Sequence, residues 1–296
     1  MTRGIGDHFY TPGFWTAFTA LAMKRGVRYA DLKFSSSARQ GYAEAIHLPV
    51  ALGAEDCYPY SRVNEGRNYS GLVLLESADS TDAANSNVAG CVRNFLAGLG
   101  VDSFAQVLVE VIGDLHDNVW SHGKSTGFSM AQLFNNRCEF ALADCGYGFL
   151  RELQRVGLKE VMNHADAINW CIQKGNSSKR LKQEDPWEQR LPADVMGNPM
   201  PGFAKARESD NHHMGLGLAK LMSAVDTYGG RLWLATGDTL LHIDGNGNRM
   251  YSTLPTEWPG VALACRFHTA RVKKLAAAEA PDEVTDALMQ LLGGQQ

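Results

Sequence analysis

The sequence lacks any run of 18 consecutive apolar residues, so no membrane-spanning helix is expected. It lacks a CxxC pair. Its six cysteines, Cys57, Cys91, Cys138, Cys145, Cys171 and Cys265, are scattered, which argues for reduced thiols over disulfides or a zinc site. It lacks an excess of basic residues: Lys plus Arg is 28 against 32 for Asp plus Glu, a formal net charge of -4. A general nucleic-acid binder needs the opposite balance, so no nucleic-acid partner is expected. No internal repeat is found, and the absence of GxxxxGK[ST] excludes a P-loop. The opening MTRGIGDHFYTPGF has no basic stretch leading into an apolar run. No signal peptide is therefore expected, and the cytoplasm is the expected location. What is present is a globular composition, 45% hydrophobic and 20% charged over 296 residues, enough for one large domain or two ordinary ones.

Residues 12–26 begin with Pro, carry an apolar stripe and end in Gly, which predicts a helix. A strand over 27–34, a helix over 36–48, a loop over 54–70 and a strand over 71–77 follow. Helices are expected over 82–98 and from 104, where Phe104, Val107, Leu108, Val111 and Leu115 recur at steps of three and four. Asp102 or Ser103 is the expected cap of the second. Strands over 128–134 and 138–144 flank Asn135-Asn136-Arg137, a hairpin signal. Helical pattern returns over 149–174 and 216–228, around a polar loop at 175–213 long enough to suggest function. Four strands are expected over 231–237, 239–244, 248–254 and 260–267, and a short amphipathic helix over 281–292. The order predicts an α+β fold, with helices on one face of a mainly antiparallel sheet in a two-layer sandwich, preceded by a small α/β region.

Four groups of residues are candidates for chemistry. Asp114, Asn118 and His122 are spaced by four and form one row on a helix. A carboxylate, an amide oxygen and an imidazole so aligned suit a hydrated metal or an oriented water. Taken alone, the row reads first as the solvated edge of an amphipathic helix. Asp144 ends a strand and is followed by Gly146 and Gly148, which permit close backbone approach to a ligand, or simply a tight turn. Gly215, Leu216, Gly217 and Leu218 open a helix, where bare N–H groups and the helix dipole favour an anion. Lys174-Gly175-Asn176-Ser177-Ser178-Lys179, within the long loop, offers side chains to phosphates or merely a solvated basic loop.

In this order the four groups resemble the GHKL, or histidine kinase-like, ATP-binding family over roughly 85–268. Asp114-Leu-His-Asp-Asn118-Val-Trp-Ser-His122-Gly123 looks like its N box, closest to the pattern of the anti-sigma-factor serine kinases. Asp144-x-Gly146-x-Gly148 looks like its G1 box, and Gly215-Leu-Gly217-Leu218 like its G2 box. The resemblance implies the Bergerat fold over 81–269, with a lid at about 175–213, a first region over 1–80 and a tail over 270–296. The helix–strand–helix outline of the first region is faintly similar to STAS-type regulatory domains. The resemblance also implies ATP and Mg2+. Asn118 would bind the metal, and His122 would lie at the nucleotide site. Asp144 would read the adenine amine, with Gly146 and Gly148 passing close to the nucleotide. Gly215, Leu216, Gly217 and Leu218 would face phosphate, and Ser177, Ser178 and Lys179 would be lid contacts. Asp114 would serve as general base. Phosphoryl transfer to a protein partner or hydrolysis is the implied activity, and homodimers are common in the family. Two departures stand out. Asp114 replaces the usual Glu, and Gly260-Val261 replaces Gly-Thr, so binding looks firmer than turnover. The alternative is an ATP-gated regulatory module whose lid controls a protein partner without catalysis.

Overall fold

The structure is a computed structural model that describes residues 3–6, 8–119, 125–176 and 217–279. A five-stranded sheet in the order β3-β4-β5-β7-β6, antiparallel throughout, forms its centre. The strands are β3 (Val73–Leu75), β4 (Gly127–Phe134), β5 (Arg137–Asp144), β6 (Arg231–Ile243) and β7 (Arg249–His268). The expected α+β class is thus observed. β1 (Arg3–Ile5) and β2 (Leu32–Phe34) make a separate parallel pair. Asn135 and Asn136 carry positive φ values of 48° and 58°, the backbone that a two-residue hairpin between right-twisted strands needs.

One sheet face carries α4 (Ala78–Leu96), α5 (Asp102–Asn118) and α8 (Gly217–Thr227). α4 starts with a reciprocal Ser77–Ser80 capping pair. α5 is capped by Val101 rather than by Asp102 or Ser103, and Asp102 instead places a carboxylate in the first turn. Phe104, Leu108, Val111 and Ile112 on α5 are fully buried against Phe140, Leu263 and Phe267 of the sheet. Each such side chain contributes roughly 1.5–3 kcal/mol on leaving water. Strand alternation sends the intervening residues to the opposite face, and these are small: Ala141, Ala143, Ala262 and Ala264. α1 (Pro12–Lys24) lies there across β4, β5 and β7. A side chain at Gly13 would meet the Ala264 methyl at 2.9 Å, so the small residues set how closely α1 seats. Helices therefore cover both sheet faces, where the sequence pattern predicts one.

Other boundaries differ as well. The four strands expected over 231–267 are two long ones. Gly237 does not end a strand. It sits in an irregularity of the β6–β7 pairing at φ +54°, and a side chain there would collide with the His164 ring. The helix expected over 36–48 is split into α2 (Ser37–Ala45) and α3 (Leu48–Ala51) by His47, whose φ is 65°. The pattern over 149–174 resolves into α6 (Gly148–Arg155) and α7 (His164–Cys171), and α9 (Thr269–Glu279) was not foreseen. The short helix expected over 281–292 lies outside the described residues. No helix among the described residues is long and apolar enough to cross a membrane.

α4, α5 and the sheet are also tied by a polar contact in the core. The His116 ring is fully buried, with Nδ1 2.7 Å from Asn85 Oδ1 and Nε2 2.7 Å from Ser129 Oγ. Burial pushes its pKa down to about 3, so the ring is neutral at physiological pH.

Candidate functional site

Six residues of the four candidate groups, from five segments, line one cleft: Asn118, Asp144, Gly148, Asn176, Gly217 and Leu218. The cleft opens to solvent and has a cavity volume of about 120 Å³. Asn118 closes α5, Asp144 ends β5, Gly148 starts α6, and Gly217 and Leu218 start α8 as described. Leu115, Leu142, Leu153 and Val261 give apolar walls, and Phe149 and Trp170 add aromatic surface. This composition suits a flat, largely apolar ring with few polar edges.

Asp144 is the buried polar point of the cleft, 3% exposed. The Gly146 N–H donates to its Oδ1 at 2.7 Å, fixing the carboxylate in a turn. Burial raises its pKa to about 6, opposed by backbone hydrogen bonds from Gly146 and Val261 and by the Lys24 charge. Lys24 donates to the Cys145 carbonyl at 3.1 Å, and the Trp258 indole N–H donates to the Asp144 carbonyl at 3.1 Å. A side chain at Gly260 would lie 2.5 Å from the Asp144 carbonyl oxygen and 2.6 Å from Oδ1. Only glycine lets β7 pass there.

Gly148 has φ +69°, and its position leaves no room for a side chain beside Thr236 Oγ1 at 2.8 Å. The same hydroxyl accepts from the Phe149 N–H at 3.3 Å. Gly217 has a comparable packing reason: a side chain there would meet the Asp114 Cβ at 2.7 Å. Asp114 therefore lies beneath the start of α8. It is 4% exposed, with Oδ2 3.1 Å from Lys220 Nζ. Glu152 lines the cleft one helical turn beyond Gly148, paired with Arg155 through two hydrogen bonds of 2.8 Å.

The structure thus gathers Asn118, Asp144, Gly148, Asn176, Gly217 and Leu218, with Gly146 and Asp114 in direct support. His122, Ser177, Ser178, Lys179, Gly215 and Leu216 lie outside the described residues, as does the lid beyond residue 176. Sequence reading missed Glu152, Trp170, Lys220 and Thr236, and gave Gly260 no contact with Asp144. The Phe149/Leu153 spacing was a usable signal for the cleft-facing side of α6. Trp170 and Thr236 had none, because their partners come from distant strands and helices. Comparison with protein-family models, with curated proteins and with solved structures finds no match to the chain.

Proposed function

We propose that this protein binds ATP with Mg2+ in the cleft between α5, α6 and α8, as a nucleotide-binding module of the histidine kinase-like type with a Bergerat arrangement of sheet and helices. The observation that carries the reading is the convergence of Asn118, Asp144, Gly148, Gly217 and Leu218 on one cleft. The Asp144 carboxylate, when ionised, accepts a hydrogen bond from the exocyclic amine of the base, and the apolar walls take its two faces. α8 points its N-terminal end at the cleft, where backbone N–H groups and the helix dipole favour phosphate. The carboxamide oxygen of Asn118 is a fitting hard donor for Mg2+, which takes few protein ligands beside phosphate and water. Bound there, the ion would offset phosphate charge. Asp114, at the same end of α5, would take a proton from an attacking hydroxyl or water in turnover. A signalling role with a protein partner completes the proposal.

Calorimetric titration with ATP, with and without Mg2+, tests binding. We expect Mg2+-dependent binding that Asp144→Asn loses, and no binding by the folded parent protein would sink the proposal. Hydrolysis or transfer is tested separately. Asn118→Ala is expected to lower ATP turnover by about a hundredfold or more, since it removes the metal's protein ligand. Unchanged turnover would reject the catalytic mechanism.

A second reading is favoured by one observation. Asp114 is buried and already ion-paired with Lys220, an arrangement poorly suited to a poised base. On this reading ATP binds without turnover and controls a protein partner. Binding by calorimetry with no phosphate released would select it.

A further inference from the structure

Lys220 is a charged residue beside the cleft that no motif singles out. It lies on α8 one turn after Gly217, whose missing side chain seats the helix against Asp114. Its ammonium is 3.1 Å from Asp114 Oδ2 and 3.7 Å from Glu110 Oε2. The three side chains differ sharply in exposure: Asp114 3%, Lys220 33% and Glu110 51%. One end of the pair is therefore sealed in the protein, and the other reaches solvent. Helical Cα–Cβ bonds tilt toward the helix N-terminus, so the Lys220 stem leads back toward Gly217 and Leu218, which line the cleft.

We propose that Lys220 is a phosphate-sensing cation. In the ligand-free protein it neutralises Asp114, and a polyphosphate arriving at the start of α8 draws it away from that carboxylate. The inference rests on the nucleotide reading above, but not on turnover. A lysine suits the task because its charge is compact and its stem has several rotatable bonds, so it changes partner without moving the helix. The exchange leaves a buried carboxylate without its cation, a cost that the several negative charges of the terminal phosphates of ATP offset. Lys220 then selects for phosphate number, while Asp144 and the apolar walls select for the base.

The test is calorimetric titration of the full chain with adenosine and with ATP, in excess Mg2+. The proteins are the parent, Lys220→Met, Lys220→Arg and the double variant Lys220→Met/Asp114→Asn. We expect the parent to prefer ATP to adenosine. Lys220→Met should weaken ATP about tenfold or more and leave adenosine within about twofold, whereas Lys220→Arg should keep most of the preference. The double variant guards against unfolding, because Lys220→Met alone leaves a buried carboxylate without its cation. It too should lose the preference for ATP. An undiminished preference in a folded Lys220→Met or double variant overturns the proposal. So does equal weakening of both ligands by Lys220→Met, which is what a purely structural ion pair would give, and so does a parent that binds both ligands equally. A parent that binds neither adenosine nor ATP overturns instead the nucleotide reading beneath it.

Discussion

Asp144→Asn is expected to stabilise the ligand-free protein at pH 7 by roughly 3 kcal/mol while abolishing nucleotide binding. Burial raises this carboxyl from the ordinary 3.8 to about 6, so at neutral pH the fold holds a charge it disfavours. Asparagine has the same shape without the charge, and its oxygen still accepts from the Gly146 N–H. The sign with pH follows from proton uptake. The folded carboxyl is protonated below about 6 and the unfolded one below 3.8, so the parent recovers this stability as pH falls through that window. His116 runs the other way. The unfolded ring binds a proton below 6.5, and the folded ring refuses it down to about 3, so stability is lost as pH falls. Between about pH 6 and pH 4 the two effects cancel in the parent. In the variant only His116 remains, and stability should fall by about 1.4 kcal/mol per pH unit. Urea denaturation at pH 7, 5 and 4 checks both statements. An asparagine variant less stable than the parent at pH 7 would show that the carboxylate is there for the fold. A gain in stability coupled to loss of binding is the signature of a residue kept for a ligand.

Gly260→Ala should have an effect of the opposite kind, in which fold and site fail together. Its added methyl would lie 2.5 Å from the Asp144 carbonyl oxygen, 2.6 Å from Oδ1 and 2.7 Å from the Gly146 nitrogen. Two of these atoms are backbone and cannot rotate away. β7 must shift, and the Trp258 hydrogen bond to the Asp144 carbonyl is strained with it. We expect a loss of about 2–3 kcal/mol, at the upper end for overpacking, and ATP binding below detection. Thermal melting and calorimetry measure the two effects. A variant with parent-like melting and affinity would mean that β7 does not hold Asp144 in place.

The elements carrying the cleft were legible because each announces itself locally. The 3–4 spacing from Phe104 to Leu115 reads as α5, and Asp144-x-Gly146-x-Gly148 reads as a strand end followed by a turn. What the sequence withheld depends on partners far along the chain. Gly237 breaks the strand pattern in the sequence, yet β6 runs through it, paired to β7 on both sides of an irregularity, and the His164 ring fills the space a side chain there would need. The apolar stripe of α1 says that the helix is buried but not on which sheet face. That choice is made by the alternation of Ala141, Ala143, Ala262 and Ala264 with larger residues facing the other way. Asp114 was legible as a carboxylate near Asn118, but its ion pair was not, because Lys220 is brought to it by helix packing alone.

The seat of α1 has a consequence for how the chain is made. Gly13 seats against Ala264 although β4, β5 and β6 all lie between them along the chain. A ribosome adding about 5–20 residues per second needs roughly 10 to 50 s to travel between them. For that interval Ala20, buried in the finished protein, lacks Trp258 and Ala262 from the apolar group around it. α1 can therefore settle on β4 and β5 as soon as these are made, but its fit is completed only when β7 slides its alanines beneath Gly13.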